Sequence, residues 1–246
     1  MSNVSSTDLF HFVREEQYLH EIIKNKGFWP YYCVEYCWAG KHWAIPMVCF
    51  CDIPLSQIQN HINKYGGKGY GIGMSKKWAV ESGLSPVLYA SYKSNLYRKI
   101  KDFSYTLTPS ISENDLSIAE RLMYRIKRVT ASESEQNHIN GNIKKTKFYN
   151  EREWRYVPKV TDQVHMELWD PLENKDKSAF RAHLSERTKE QRLHFETDDV
   201  EYIITPNEEG RLAMLHFLNS LTTLSDLERD LLKTKIITVV DMKDNF

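Results

Sequence analysis

An α+β fold in one domain is what this sequence predicts, on three observations. Strand-like and helix-like segments alternate along the chain without a regular βα repeat. Strand-like runs lie close to both ends, at DLFHFV and KIITVVDM, so both ends are expected to join the sheet. No polar stretch is long enough to separate two domains, so residues 1–246 read as a single unit. The 41% hydrophobic content, with 12% aromatic, supplies a core and argues against a disordered chain.

The elements follow in order. DLFHFV (8–13) reads as a strand, and REEQYLHEIIKNK (14–26) as a helix with Tyr18, Leu19, Ile22 and Ile23 on one stripe and Gly27 as its C-cap. The aromatic stretch from Phe28 to Trp43 reads as core packing or, alternatively, as an interface rich in anchors. IPMVCFCDIP is a buried strand, LSQIQNHINKYG a short helix and GGKGYGIGM a turn leading into a strand. KKWAVESG gives one or two helical turns and SPVLYAS another strand.

SENDLSIAERLMYRIKR (112–128) has acids early and bases late, as a helix dipole favours. Residues 130–147 are rich in Ser, Asn, Gly and Lys and read as an exposed loop before the strand FYNEREWRYVP. Residues 170–197 are charged and weakly patterned. VEYIITP is a strand, EEGRLAMLHFLNSL a helix carrying Leu212, Leu215, Leu218 and Leu221, and KIITVVDM a closing strand.

Composition narrows the function classes. Lys plus Arg equal Asp plus Glu at 33 each, so the whole chain has no net attraction for nucleic acid or acidic membranes. The polar first residues carry no basic or apolar leader pattern, so no secretory signal is expected, and no run approaches a membrane-spanning length. A cytoplasmic protein with reduced cysteines is expected. Cys33, Cys37, Cys49 and Cys51 are spaced C-x3-C and C-x-C, which fits the paired knuckles of structural zinc poorly. No metal is expected.

Three segments are candidates for chemistry. In Glu151-Arg152-Glu153-Trp154-Arg155-Tyr156, alternation puts Glu151, Glu153 and Arg155 on one strand face and Trp154 and Tyr156 on the other. Two carboxylates there can divide catalytic roles; the plainer alternative is a Glu153–Arg155 pair at a strand edge with Trp154 in the core. His11 lies opposite Phe10 and Phe12 and can offer a hydrogen bond to a cleft, or be an ordinary histidine with a backbone partner. In Tyr65-Gly66-Gly67-Lys68-Gly69-Tyr70-Gly71-Ile72-Gly73, glycines admit a ligand close to the backbone and tyrosines offer stacking faces, or the segment is a tight turn.

LFHF, GFWPYYCVEYC, AIPMVCFCDIPLSQIQNHINKYGGKGYGIGMSKKWA, SPVLY and EREWRYVP, in that order, resemble the AbiGi family of abortive phage-infection proteins. That family is described as an antitoxin partner. The order of an early His, a central glycine-aromatic segment and a late strand-entry Glu also resembles the ADP-ribosyltransferase superfamily. That resemblance implies a mixed or antiparallel split sheet flanked by helices. It implies NAD as substrate, held by His11, Tyr65, Tyr70, Gly71 and Ser75, with Glu153, Glu151 and His11 catalytic. The superfamily's central tyrosine falls at Gly73 here, so Tyr65 or Tyr70 stands in for it. Glu151-x-Glu153 has the spacing of arginine-modifying transferases.

Two functions follow from these resemblances. One is an NAD-consuming transferase or glycohydrolase acting on a host or phage macromolecule or on NAD itself. The other is a non-catalytic regulator that binds a cognate toxin or antitoxin protein. In a third reading, Lys144, Lys145 and Lys147, with Arg121, Arg125, Lys127 and Arg128, form a basic rim for nucleic acid or a diphosphate.

Overall fold

The computed structural model describes residues 6–36, 42–65, 67–91, 93–106, 126–128, 137–139, 142–144, 148–159, 167–169 and 176–245. The fold is α+β with mostly antiparallel strand pairing. Its residues group into two compact units, each discontinuous in sequence. The first comprises 1–28, 49–84 and 193–246, the second 29–48 and 85–192.

In the first unit, DLFHFV forms the expected strand. It pairs antiparallel with Tyr70–Ser75 over its whole length, from Asp8 opposite Ser75 to Val13 opposite Tyr70. On its other side Phe10 lies opposite Cys51. Val200–Thr205 runs antiparallel beyond Tyr70–Ser75, with a register irregularity between Val200 and Tyr202. Ile236–Thr238 pairs parallel with Val200–Thr205. A parallel pair needs a long crossover, and the helices Glu208–Ser220 and Asp226–Thr234 lie in that connection.

Side-chain caps fix where these helices begin. The Asn207 amide oxygen accepts from Gly210 N–H at 3.0 Å. Ser225 and Glu228 form a reciprocal capping box. The core gathers Phe10, Cys51, Ile53, Ile58, Ile62, Ile204, Val239 and Met242.

Three expectations change in this unit. The first helix, Glu16–Lys24, buries Leu19, Ile22 and Ile23 as predicted but leaves Tyr18 exposed; Asn25 caps it, and Gly27 belongs to a short strand opposite His194. Leu218 of the late helix and Leu221, which caps it, are buried, whereas Leu212 is exposed. KIITVVDM stays extended only through Thr238, and Val239–Asn245 is helical. Thr238 Oγ1 accepts from Asp241 N–H, and Asp241 accepts from Thr238 N–H. That reciprocal cap starts a helix despite the β-branched run.

In the second unit Tyr31–Tyr36 pairs antiparallel with the first part of the strand His42–Cys51, from Tyr31 opposite Met47 to Tyr36 opposite His42. Glu167–Trp169 also pairs with His42–Ala44. Glu153–Tyr156 pairs antiparallel with Ser85–Pro86. Tyr32, Ala44 and Leu184 form a small core with Val34 and Phe180 against it.

The weakly patterned stretch contains a helix, Lys177–Ser185, started by Asp176, which accepts from Ser178 and Ala179 N–H. The expected helix over 112–128 lies outside the described residues except for Ile126–Arg128, a strand parallel to Leu88–Ala90. Within the expected loop 130–147, Asn137–Ile139 and Asn142–Lys144 form an antiparallel pair. No helix among the described residues is long and apolar enough to cross a membrane.

Candidate functional site

The second unit's chemistry centres on a buried charge cluster. Glu153 and Arg155 share one strand face, as alternation predicts, but that face is the inner one. Arg155 is 1% exposed and Glu153 is 7% exposed, while Trp154 and Tyr156 are half-buried. The charged pair is therefore internal, not at a strand edge, and Trp154 is not the core residue. Arg155 Nε donates to Glu153 Oε1 at 2.6 Å and its Nη2 to Glu153 Oε2 at 3.2 Å. The same Nη2 donates to Glu35 Oε1 at 3.1 Å.

The backbone of Glu153 is also fixed. Its N–H donates to the Tyr89 hydroxyl at 2.9 Å, and its carbonyl accepts from Val87 N–H at 2.8 Å. Glu35 is the residue that sequence reasoning missed. Its partner stands 120 residues away, beyond any local pattern. Glu151 does not extend the alternation. It closes a short 3-10 turn, Phe148–Glu151, and Arg152 follows at φ 44°. That left-handed backbone re-aims the chain before the strand begins.

His11, Tyr70, Gly71 and Ser75 belong to the first unit. His11 Nδ1 lies 2.8 Å from the Cys49 carbonyl, and its ring packs against Phe28 and Phe50. Burial lowers its pKa, so the ring is held neutral. Burial raises the Tyr70 hydroxyl's pKa.

The glycines face aromatic side chains. A Cβ on Gly71 would come within 2.7 Å of Phe12. One on Gly73 would come within 2.9 Å of both Phe10 and Tyr202. Ser75 Oγ accepts from Trp78 N–H at 3.2 Å and caps the helix Lys76–Glu81. Tyr65 ends the helix Ile58–Tyr65. Lys144 lies in the short strand pair, and Lys145 and Lys147 fall outside the described residues.

Cys51 is buried and its thiol donates to the Phe10 carbonyl at 3.3 Å. Cys33 and Cys49 are partly exposed. Cys37 is outside the described residues. Among the described residues no cluster of three or more His, Cys, Asp or Glu is arranged to hold a metal.

A family model described as "Putative abortive phage resistance protein AbiGi, antitoxin" matches residues 28–206. The chain belongs to the AbiGi family. The matched span contains Glu35, Glu153 and Arg155, and His11 precedes it. The chain is also similar to the abortive phage resistance protein AbiGi of Lactococcus lactis subsp. cremoris. The two are 26% identical over 228 residues, covering 84% of this chain and 90% of that protein. No solved structure matches this AbiGi chain.

A pH dependence follows from the first unit's histidines. His61 packs against Phe12, and burial followed by the Lys64 charge lowers its pKa to about 4. His11 is lowered by burial as well. In the unfolded chain both protonate near ~6.5, so below that pH the unfolded state binds more protons. Stability is expected to fall as the pH drops below about 6.5, for His61 as far as about 4 and by at most about 1.4 kcal/mol per pH unit, with His11 acting in the same direction. Urea midpoints of wild type and His61→Phe between those pH values check this. A variant with the wild-type slope would remove His61 from the effect.

Proposed function

We propose that this chain is a non-catalytic regulator in abortive phage defence, acting as an antitoxin-type protein that binds a cognate toxin. The observation carrying this reading is the state of Glu153. Its carboxylate is engaged at both oxygens by a buried guanidinium that Glu35 shares. A carboxylate so neutralised is poorly placed to stabilise a cation developing on a ribose, because its charge is already balanced. The glycine strand adds support, since aromatic side chains cover Gly71 and Gly73. The family description, which names an antitoxin, agrees.

The test is co-expression with the product of the gene co-transcribed with this one. A regulator restores growth when that product is toxic and co-purifies with it in a fixed ratio. Toxicity of this chain alone, with no rescue of its neighbour, would overturn the reading.

The second reading is an ADP-ribosyltransferase-like enzyme that cleaves NAD and passes ADP-ribose to a macromolecule or to water. It rests on the order of His11, the glycine strand and Glu153 in the sequence. There Glu153 would bond a ribose hydroxyl and stabilise the oxocarbenium-like transition state, with Glu151 orienting the acceptor. Loss of one such contact costs roughly 10²–10³ in rate. Under the regulator reading, purified wild type and Glu153→Gln both release no nicotinamide from NAD above a protein-free control. Release by wild type that Glu153→Gln abolishes would establish the enzyme instead.

A further inference from the structure

The aromatic stretch after residue 28 divides by alternation. Pro30 and Tyr32 point inward and are buried. Trp29 and Tyr31 point outward and are 43% and 37% exposed. Residues two apart on an extended chain lie on one face about 7 Å apart, so two large rings stand side by side on the second unit's surface.

Cations from the later helix and its following turn frame them. The Arg181 guanidinium lies 4.3 Å from the Tyr31 ring centroid. Lys189 and Arg192 each lie 5.9 Å from the centroid of Trp29. Residues 177–192 carry five Lys and Arg against two Glu, a local net charge of +3 in a neutral chain. Lys189 is already paired with Glu186. Arg181 and Arg192 make no ion pair among the described residues, although both are half-buried. Arg181 spends its Nε on the Tyr32 carbonyl at 2.9 Å, which fixes the guanidinium's orientation.

Exposed Trp and Tyr beside oriented arginines is the composition of protein-binding hot spots. Half-buried guanidiniums without carboxylates are sites that a carboxylate completes, with two parallel hydrogen bonds. A nucleic-acid strand fits less well. The face of Tyr31 that a base would use is occupied by Arg181.

The geometry points to Trp29, Tyr31, Arg181 and Arg192 as the surface through which this chain binds an acidic face of its partner protein. On that face, carboxylates meet the two arginines and an apolar side chain packs on Trp29. This inference rests on the regulator reading above and gives it an address on the molecule.

The experiment measures binding of the purified co-transcribed gene product to the full-length chain at low and high salt. The variants are Trp29→Ala, Arg192→Glu and the double variant of both. Trp29 is exposed and Arg192 half-buried, neither side chain makes a hydrogen bond among the described residues, and thermal melting verifies that each variant folds. Trp29→Ala is expected to weaken binding roughly 30-fold, and the double variant by more than about 100-fold. Wild-type affinity is expected to fall with salt, and less so in Arg192→Glu. Wild-type binding with undiminished binding by all folded variants would overturn this surface and leave the regulator reading standing. No binding by wild type would overturn both. Tight binding of a labelled oligouridylate RNA, lost in the same variants, would reassign the patch to nucleic acid and overturn the protein partner.

Discussion

Arg155→Ala is expected to destabilise the second unit by about 3–5 kcal/mol, because it leaves carboxylates in the interior without their counter-charge. Arg155 is 1% exposed, the Glu153 side chain 8% and that of Glu35 23%. The loss therefore falls mainly on Glu153, which has least access to water. Glu153→Gln is expected to cost much less, since the Arg155–Glu35 pair remains and its net charge is zero. Replacing the whole cluster with Arg155→Met, Glu153→Leu and Glu35→Leu separates two effects. A buried triad exchanged for apolar groups of similar volume is often neutral, so the triple variant should be more stable than Arg155→Ala alone. Urea denaturation of the variants gives the order. If Arg155→Ala unfolds at the wild-type midpoint, the cluster is not a structural element, and a reactive Glu153 becomes the better reading.

The glycine strand should respond as strongly to a single added methyl. Gly71→Ala and Gly73→Ala each force a Cβ into an aromatic ring at under 3 Å. Overpacking of this kind typically costs about 1–3 kcal/mol. Both positions lie on one short strand, so the double variant should approach the total stability of an ordinary domain, about 5 kcal/mol at the low end. The mechanism is specific enough to be reversed. Phe10→Leu removes one of the two ring atoms that a Gly73 Cβ would meet and should recover part of the Gly73→Ala loss, an interaction a double-mutant cycle isolates. Additive losses would mean the methyl is accommodated elsewhere and the rings do not dictate the glycines.

These two sites also show what could be read in advance. The strand DLFHFV was legible because alternation separates His11 from Phe10 and Phe12, and the structure keeps them on opposite faces, Phe10 with Tyr202 and His11 with Phe28 and Phe50. That Glu153 and Arg155 share a face was equally legible. That the face is internal was not, because charge predicts exposure, and the group that completes the cluster, Glu35, comes from a distant strand.

Glycine and serine carried the opposite ambiguity. In the sequence GYGIGMS the small residues suit a ligand as well as a neighbour. Only the packed structure gives Gly71 and Gly73 to aromatic rings and Ser75 to a helix cap. The helix Lys177–Ser185 escaped because its apolar residues, Phe180 and Leu184, are few, and its start depends on Asp176. Trp29 and Tyr31 were seen as part of an aromatic block. It takes the structure to show these two exposed between the buried Pro30 and Tyr32.

The way the first unit draws on three distant stretches of chain has a consequence for how the protein is made. Residues 70–75 emerge from the ribosome with an unpaired edge, and the strand that covers it begins at Val200. At ~5–20 residues per second, translation leaves that edge open for roughly ten seconds. During that interval a nascent chain offers backbone donors and acceptors to any passing strand or protease. A polypeptide released before residue 200 never closes it. Closure of that edge therefore depends on synthesis running past residue 200, and not only on the equilibrium stability of the finished fold.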